Sequence, residues 1–219
     1  MHVLISGATG FVGQGVLAEA LNAPDVSAVT TLGRRPTGTE HAKLTELVVD
    51  DMGDLSSIAD HLAEVDACFW CLGISSQGLD EATYTQITYS LTMHAARTLL
   101  EQNPEARFCF LSGSGADGKA MWARVKKRAE DDLQALGFAG VVVFRPAYIR
   151  GLHGAQVRGK LYRFAYALLT PLSPMFRILG GATSNAEVGQ AMVVAVREKM
   201  DGEILDSRGI NSVAARFPA

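Results

Sequence analysis

The sequence predicts an α/β fold in which a doubly wound parallel sheet carries helices on both faces. Two observations support this prediction. Short apolar, partly β-branched runs alternate along the chain with segments whose apolar residues recur at helical spacing. A glycine-rich turn joins the first such run to the first helical segment. Strands that alternate with helices form right-handed crossovers, which place the strands parallel in a sheet covered on both sides.

The elements can be assigned in chain order. We expect strands at residues 2–6, 27–33, 46–50, 65–72, 107–112 and 140–145, and helices at residues 11–21, 55–62, 82–102 and 119–136. Later residues predict a last amphipathic helix at 186–199 and a closing edge strand at 203–206. We expect a single domain over residues 1–219, in which residues 150–185 form a small substrate lobe over the carboxyl edge of the sheet.

Charge and hydropathy limit the kinds of partner that this chain is expected to bind. The chain has 20 Lys and Arg against 23 Asp and Glu, a net charge of −3, so no basic footprint for nucleic acid is expected. No apolar run reaches the length of a membrane-spanning helix, and no signal peptide is expected before the first strand. The most apolar stretch, residues 161–179, is interrupted by arginine and proline. We interpret it as a pocket or core helix, with a protein partner, a homo-oligomer contact or a membrane surface as alternatives.

Cysteine usage predicts a reducing compartment. The three cysteines, Cys68, Cys71 and Cys109, are too few and odd in number for a disulfide framework, so a cytoplasmic protein is expected. Cys68 and Cys71 spell C-x-x-C within a predicted strand, where a separation of three residues sends the side chains to opposite faces. We therefore expect structural cysteines and no metal site.

The turn after the first strand is the main functional signal. Gly7, Gly10 and Gly13 lie between a strand and a helix, where the absence of Cβ atoms lets a phosphate approach the first helical N–H groups. This context is that of the dinucleotide-binding turn of a Rossmann fold, with a ligand-free turn as the alternative. At the end of the second strand, where an NAD site carries an acid, the chain has Arg34 and Arg35. Two guanidinium groups favour the 2′-phosphate of NADP(H), although a solvated pair is the alternative.

These residues resemble the atypical and extended short-chain dehydrogenases/reductases, an epimerase/dehydratase-like group, and most closely the branch that includes the Tat-interacting-protein-like oxidoreductases. The matching segments cover about residues 1–150 and fall at predicted strand ends: residues 6–13, 33–35, 48–51, 71–73, 111–117 and 144–146. The resemblance implies that NADP(H) is bound by Gly7, Thr9, Gly10, Phe11, Val12, Gly13, Arg34, Arg35, Asp51, Met52, Leu72, Gly73, Ser112, Lys126, Pro146 and Ala147. It implies that Asp51, or its neighbour Asp50, faces the adenine.

The expected catalytic residues depart from that family. Its members pair a tyrosine with a lysine four residues later, which lowers the tyrosine pKa for proton transfer. Here Lys126 is present, but Trp122 occupies the tyrosine position, and an indole N–H donates a hydrogen bond without titrating usefully. The candidates are therefore Ser114, Lys126 and Tyr148, with Tyr148 as the substitute proton donor and His153 as a weaker one.

Three functions remain open on this evidence. The first is an NADP(H)-dependent oxidoreductase that acts on a small carbonyl, quinone or flavin-type substrate. The second is a catalytically inactive NADP(H)-binding redox sensor or regulatory protein. The third is a scaffold that recruits a partner through residues 161–179. Arg158, Arg163 and Arg177 are candidates to meet an anionic group of a substrate, or they simply face water.

Overall fold

The computed structural model describes residues 1–152 and 181–218. Its strands are β1 (His2–Ser6), β2 (Ala28–Gly33), β3 (Leu44–Val48), β4 (Ala67–Trp70), β5 (Arg107–Leu111), β6 (Gly140–Arg145), β7 (Tyr148–Arg150), β8 (Ala182–Ser184) and β9 (Ile204–Asp206). Seven of them form one parallel sheet in the order β3-β2-β1-β4-β5-β6-β9. The order reverses between β1 and β4, so the predicted doubly wound sheet is confirmed. Strands β7 and β8 pair with each other in a separate parallel sheet.

Helices connect these strands. They are α1 (Phe11–Asn22), α2 (Glu81–Thr85), α3 (Leu91–Gln102), α4 (Met121–Gln134), α5 (Asn185–Arg197) and α6 (Ser207–Ala214). The predicted helix at residues 55–62 is a 3₁₀ helix, Ser56–Leu62, and a π turn at Gln86–Ser90 interrupts the predicted helix at 82–102. Strand β3 begins and ends two residues earlier than predicted. The sequence did not predict β7, β8 or α6, because three-residue strands and an eight-residue helix are too short for periodicity to show.

The core lies on both faces of the sheet. Apolar residues of α1, α5 and α6 pack on one face, and those of α3, α4 and the 3₁₀ helix pack on the other. Side chains alternate between these faces along β4, so Cys68 lies in the second cluster while Cys71 packs against the first. The prediction that the two thiols lie on opposite faces is confirmed. Burial raises the pKa of the Cys71 thiol to about 12, which keeps it protonated at neutral pH.

Some of the features predicted from the sequence lie in residues outside the described ranges. This part includes most of the predicted substrate lobe at 150–185, the apolar segment 161–179, His153 and the three arginines within it. In the described ranges, no helix has both the length and the apolarity needed to cross a bilayer.

Candidate functional site

The turn between β1 and α1 is built from main chain alone. Gly7 has a φ of +70°, and a Cβ there would lie 2.7 Å from the carbonyl oxygen of Cys71. A Cβ at Gly13 would lie 2.1 Å from the carbonyl oxygen of Gly7, so only glycine fits either position. Gly10 donates its N–H to Gly7 O at 2.8 Å and caps α1 without a side chain. The first turn of α1 is thus left without a carboxylate or hydroxyl cap, which is the arrangement an anion can occupy.

A cleft of about 460 Å³ lies beside this turn. Thr9 and Gln14 line it together with Arg35 and Thr37, which follow β2. Gln14 donates from Nε2 to the carbonyl oxygen of Thr9 at 3.3 Å. Arg34 and Arg35 are both exposed, and within residues 1–152 and 181–218 neither forms an ion pair. The cleft therefore runs from the start of the glycine turn along α1 to the guanidinium group of Arg35, and this lining fits the phosphate groups of a dinucleotide.

The residues expected around the adenosine differ in their exposure to solvent. Asp51 is exposed and accepts the N–H of Gly53 at 2.8 Å, so its carboxylate shapes the turn after β3. Met52 is only 5% exposed and packs in the core. Leu72 is partly buried and donates its N–H to Ser6 Oγ at 3.3 Å, and Gly73 is exposed. Of this group, Asp51 and Gly73 are the residues most accessible to a ligand.

Lys126 lies at the carboxyl edge of the sheet, as its place in α4 predicted. Its Nζ donates to the carbonyl oxygen of Leu111 at 2.9 Å and lies 5.3 Å from the centre of the Phe110 ring. Burial lowers the pKa of this ammonium to about 8, an effect that the nearby charge of Glu130 opposes. The group is therefore mostly charged at neutral pH and titrates close to it.

The loops after β5 and β6 are joined by main-chain hydrogen bonds. Ser112 donates its N–H to Phe144 O at 2.8 Å, and Ser114 donates its N–H to Pro146 O at 3.0 Å. The Ser114 side chain is exposed beside this junction, and Ala147 donates its N–H to Ser207 Oγ at 3.0 Å. The candidates from these two loops are thereby brought together at one edge.

Trp122 and Tyr148 flank the same loops. The indole ring of Trp122 lies within 3.9 Å of where Cβ atoms would stand on Gly113 and Gly115, so it packs against the loop that carries Ser114. Tyr148 begins β7, is partly buried, and donates its N–H to Gly181 O at 3.0 Å.

A buried charge cluster beneath the two loops was not found by sequence reasoning. Glu130 is 1% exposed, and its carboxylate accepts the Ser112 hydroxyl. The Arg145 guanidinium binds Glu130 at 2.5 Å and Asp117 at 2.5 Å, and the Glu130 carboxylate raises the pKa of Arg145. The one signal available was the position of Glu130, four residues after Lys126 on α4.

Asn185 was also missed, and no motif marks it. The side chain is fully buried at the start of α5. Its Nδ2 donates to the carbonyl oxygens of Phe11 at 3.3 Å and Leu152 at 3.2 Å, while its Oδ1 accepts the N–H of Leu152 at 2.7 Å. Asn185 thus fixes the first turn of α1 against α5.

Sequence comparison assigns most of this chain to a known family. A model of the family described as NAD(P)H-binding matches residues 7–159. Protein fmp52-1, mitochondrial, of Aspergillus oryzae is 33% identical over 158 residues, which are 68% of this chain and 66% of that protein. Protein fmp52, mitochondrial, of Emericella nidulans is 27% identical over 213 residues, 93% of this chain and 90% of that protein.

Solved structures share the fold. MoeE5, in complex with UDP-glucose and NAD, superposes with a TM-score of 0.72 at 19% identity over 94% of this chain and 75% of its own. An oxidoreductase of the short-chain dehydrogenase/reductase family from Burkholderia thailandensis superposes with a TM-score of 0.70 at 17% identity, over 96% of this chain and 92% of its own. These structures share the fold, and the predicted relationship to NAD(P)-binding proteins is confirmed by the family model.

One expectation is wrong. The sparse cysteines predicted a cytoplasmic protein, but the curated relatives from Aspergillus, Emericella and Candida are named as mitochondrial proteins. Cysteine usage separates reducing from oxidising compartments, and it carries no information about which reducing compartment a protein occupies.

Proposed function

This chain belongs to the NAD(P)H-binding family, and we propose that it binds NADP(H) and acts as an oxidoreductase on a small carbonyl, quinone or flavin-type substrate. The observation that carries the proposal is the cleft beside the glycine turn, which Arg35 lines together with Thr9 and Gln14. When bound, NADP(H) supplies or accepts a hydride at its nicotinamide ring.

The two ends of the cofactor would be held differently. The main chain from Thr9 to Gly13 would bind the pyrophosphate, because the first turn of α1 lacks a side-chain cap. Arg35, with Arg34 beside it, would pair with the 2′-phosphate. Asp51 and Gly73 would border the adenosine.

At the other end, Lys126 would bond the nicotinamide ribose and Pro146 with Ala147 would border the ring. Ser114, exposed at the junction of the two loops, would hold the substrate oxygen, and Tyr148 would supply the proton that Trp122 cannot. The substrate lobe at residues 150–185 stays a prediction.

Cofactor preference tests this proposal. Titration of the protein with NADPH and NADH, followed by fluorescence and calorimetry, should show tighter binding of NADPH. Arg35→Ala should weaken NADPH binding about 10- to 100-fold and leave NADH unchanged, since a charge-assisted contact contributes about 1.5–3 kcal/mol. Arg34→Ala should have a smaller effect.

Arg124→Ala is the matched control, because Arg124 is an exposed arginine of α4 that pairs with Glu81 outside the cleft. Its affinity for both cofactors should equal that of the wild type. Equal affinity of the wild type for NADPH and NADH would contradict the role of the arginine pair.

Trp122 favours a second candidate function, an NADP(H)-binding sensor or regulator without turnover. Its ring packs against the loop that carries Ser114, where the related reductases place a titrating phenol. A turnover screen with quinones, flavins and aldehydes should be run on the wild type and on Trp122→Tyr. Turnover by the wild type supports the oxidoreductase, whereas activity that only Trp122→Tyr shows supports the sensor.

A further inference from the structure

In the charge cluster under the loops after β5 and β6, Glu130, Arg145 and Asp117 have no place in the proposed binding of NADP(H). Ser112, which the resemblance assigned to the cofactor, donates its hydroxyl to Glu130. The centre of the cluster, Glu130, is buried on α4, and a carboxylate is costly to bury unless it is paired and hydrogen-bonded. Three polar groups meet that need: the hydroxyl of Ser112, and the Nε and Nη2 of Arg145. Arg145 is itself anchored on its far side by Asp117.

This cluster connects α4 with the loops after β5 and β6, which form part of the nicotinamide end of the site. Ser112 follows β5, Arg145 ends β6, Asp117 lies in the loop that leads to α4, and Glu130 lies on α4 itself. Lys126 is one helical turn before Glu130, and its Nζ is bound to the carbonyl oxygen of Leu111, the residue directly before Ser112. Residues four apart on a helix are neighbours, so the Glu130 carboxylate lies on the same side of α4 as the Lys126 ammonium, which donates to Leu111 O.

We propose that Glu130 is a positioning residue of the dinucleotide site, whose carboxylate, held by Arg145 and Ser112, keeps Lys126 charged at the carboxyl edge of the sheet. The inference rests on the proposed binding of NADP(H). Glu130 would set the charge of Lys126, one of the residues proposed to touch the cofactor.

The charged and titratable groups around Lys126 favour this role. From its own helix it faces Glu130, and from the end of β4 it faces Cys71, which burial keeps in the thiol form. From β5 it meets the Leu111 carbonyl and the Phe110 ring, and beyond Glu130 stand Arg145 and Asp117. Burial lowers the pKa of Lys126 to about 8, and Glu130 is the main group that raises it. Without that carboxylate, Lys126 would lose its charge at a lower pH.

The test is the pH profile of NADPH affinity, measured by fluorescence between pH 6.5 and 9.5. In the wild type the affinity should fall as pH rises through about 8, where Lys126 loses its proton. In Glu130→Gln the fall should begin about one pH unit lower, because a nearby opposite charge shifts a pKa by about that much or more. Lys126→Met should bind about 10-fold more weakly at pH 7 and show no fall in this range.

Asp131→Asn is the matched control, since it removes a carboxylate from the next position of α4, where Asp131 is exposed and pairs with Lys127. Its midpoint should equal that of the wild type. A Glu130→Gln midpoint equal to the wild type would overturn the proposal, whereas failure of the wild type to bind NADPH at all would instead overturn the proposed function.

A direct titration gives an independent readout. Lysines labelled by ¹³C reductive methylation can be followed by NMR without cofactor, with the Lys126 signal assigned from its absence in Lys126→Met. The Lys126 signal should titrate at a lower pH in Glu130→Gln. If that variant does not fold, Glu130→Asp retains the charge but withdraws it by one methylene, and its midpoint should lie below that of the wild type. A wild-type midpoint in Glu130→Asp, as in Glu130→Gln, would contradict the role.

Discussion

At the end of β1 the candidate site is made of bare main chain, whereas at the ends of β5 and β6 it is made of charged side chains. The first region depends on the absence of side-chain atoms. Gly7 and Gly13 leave no room for a Cβ, and the first turn of α1 has no side-chain cap. The second region works by pairing charges, with Glu130 and Arg145 held in the interior. The two regions of the candidate site are thus built by two kinds of local chemistry, and each kind fails in its own way.

The largest expected effect comes from a substitution in the main-chain region. Gly13→Ala places a Cβ 2.1 Å from the Gly7 carbonyl oxygen, so the turn or α1 must move. We expect NADPH affinity to fall more than about 100-fold and the free energy of unfolding to fall by about 3 kcal/mol. Calorimetry and thermal unfolding measure both.

Gly33→Ala is the matched control for stability, because a Cβ there would meet its nearest neighbour at 3.8 Å. It should unfold within a few degrees of the wild type. Normal NADPH binding by Gly13→Ala would remove the argument that the turn is the phosphate cradle.

The next effect comes from a substitution in the charged region. Arg145→Met leaves Glu130 buried without its cation, and removal of one partner of a buried pair costs about 3 kcal/mol or more. Asp117→Asn removes the other, exposed partner of the same arginine and should cost less than about 1 kcal/mol. Urea unfolding of both variants measures the difference. Equal losses would mean that burial does not distinguish the two ion pairs.

The third effect concerns the pH dependence of the free energy of unfolding. The pKa of Lys126 is about 8 in the folded protein against an ordinary 10.5, so between these values the unfolded chain binds more protons. The free energy of unfolding of the wild type should therefore rise with pH in this window, while below it the full cost of the buried charge is present. The difference between these pKa values corresponds to about 3 kcal/mol, and Lys126→Met also loses the hydrogen bond to Leu111 O, which contributes about 1 kcal/mol. The variant should therefore be more stable than the wild type by about 2 kcal/mol at pH 7.

This difference should shrink as pH rises from 8 to 10.5. Chemical unfolding at pH 7 and at pH 10 measures it, with Lys127→Met as the control, because Lys127 is more exposed and pairs with Asp131. A stability difference that stays constant over this pH range would show that Lys126 keeps its ordinary pKa.

The main-chain half of the site was the more predictable from sequence. A glycine turn between an apolar run and a helical segment is a local pattern, and its conformation depends on neighbouring residues alone. Arg34 and Arg35 were found for the same reason, since they directly follow a predicted strand. The charged half was less predictable, because Glu130, Arg145 and Asp117 acquire their partners only when distant segments meet. Trp122 was recognised by its offset from Lys126, whereas its packing against the Ser114 loop required the structure.

By itself, the amino-acid sequence determined the alternation of strand and helix, the parallel doubly wound sheet and the position of the glycine turn. These follow from periodicity and backbone sterics, which act over a few residues. Only the tertiary structure decided which carboxylate and which guanidinium are buried together, that Met52 lies in the core, and that Asn185 ties α5 to the first turn of α1. Burial and hydrogen bonding between residues far apart in the chain are properties of the packed molecule, and no local pattern encodes them.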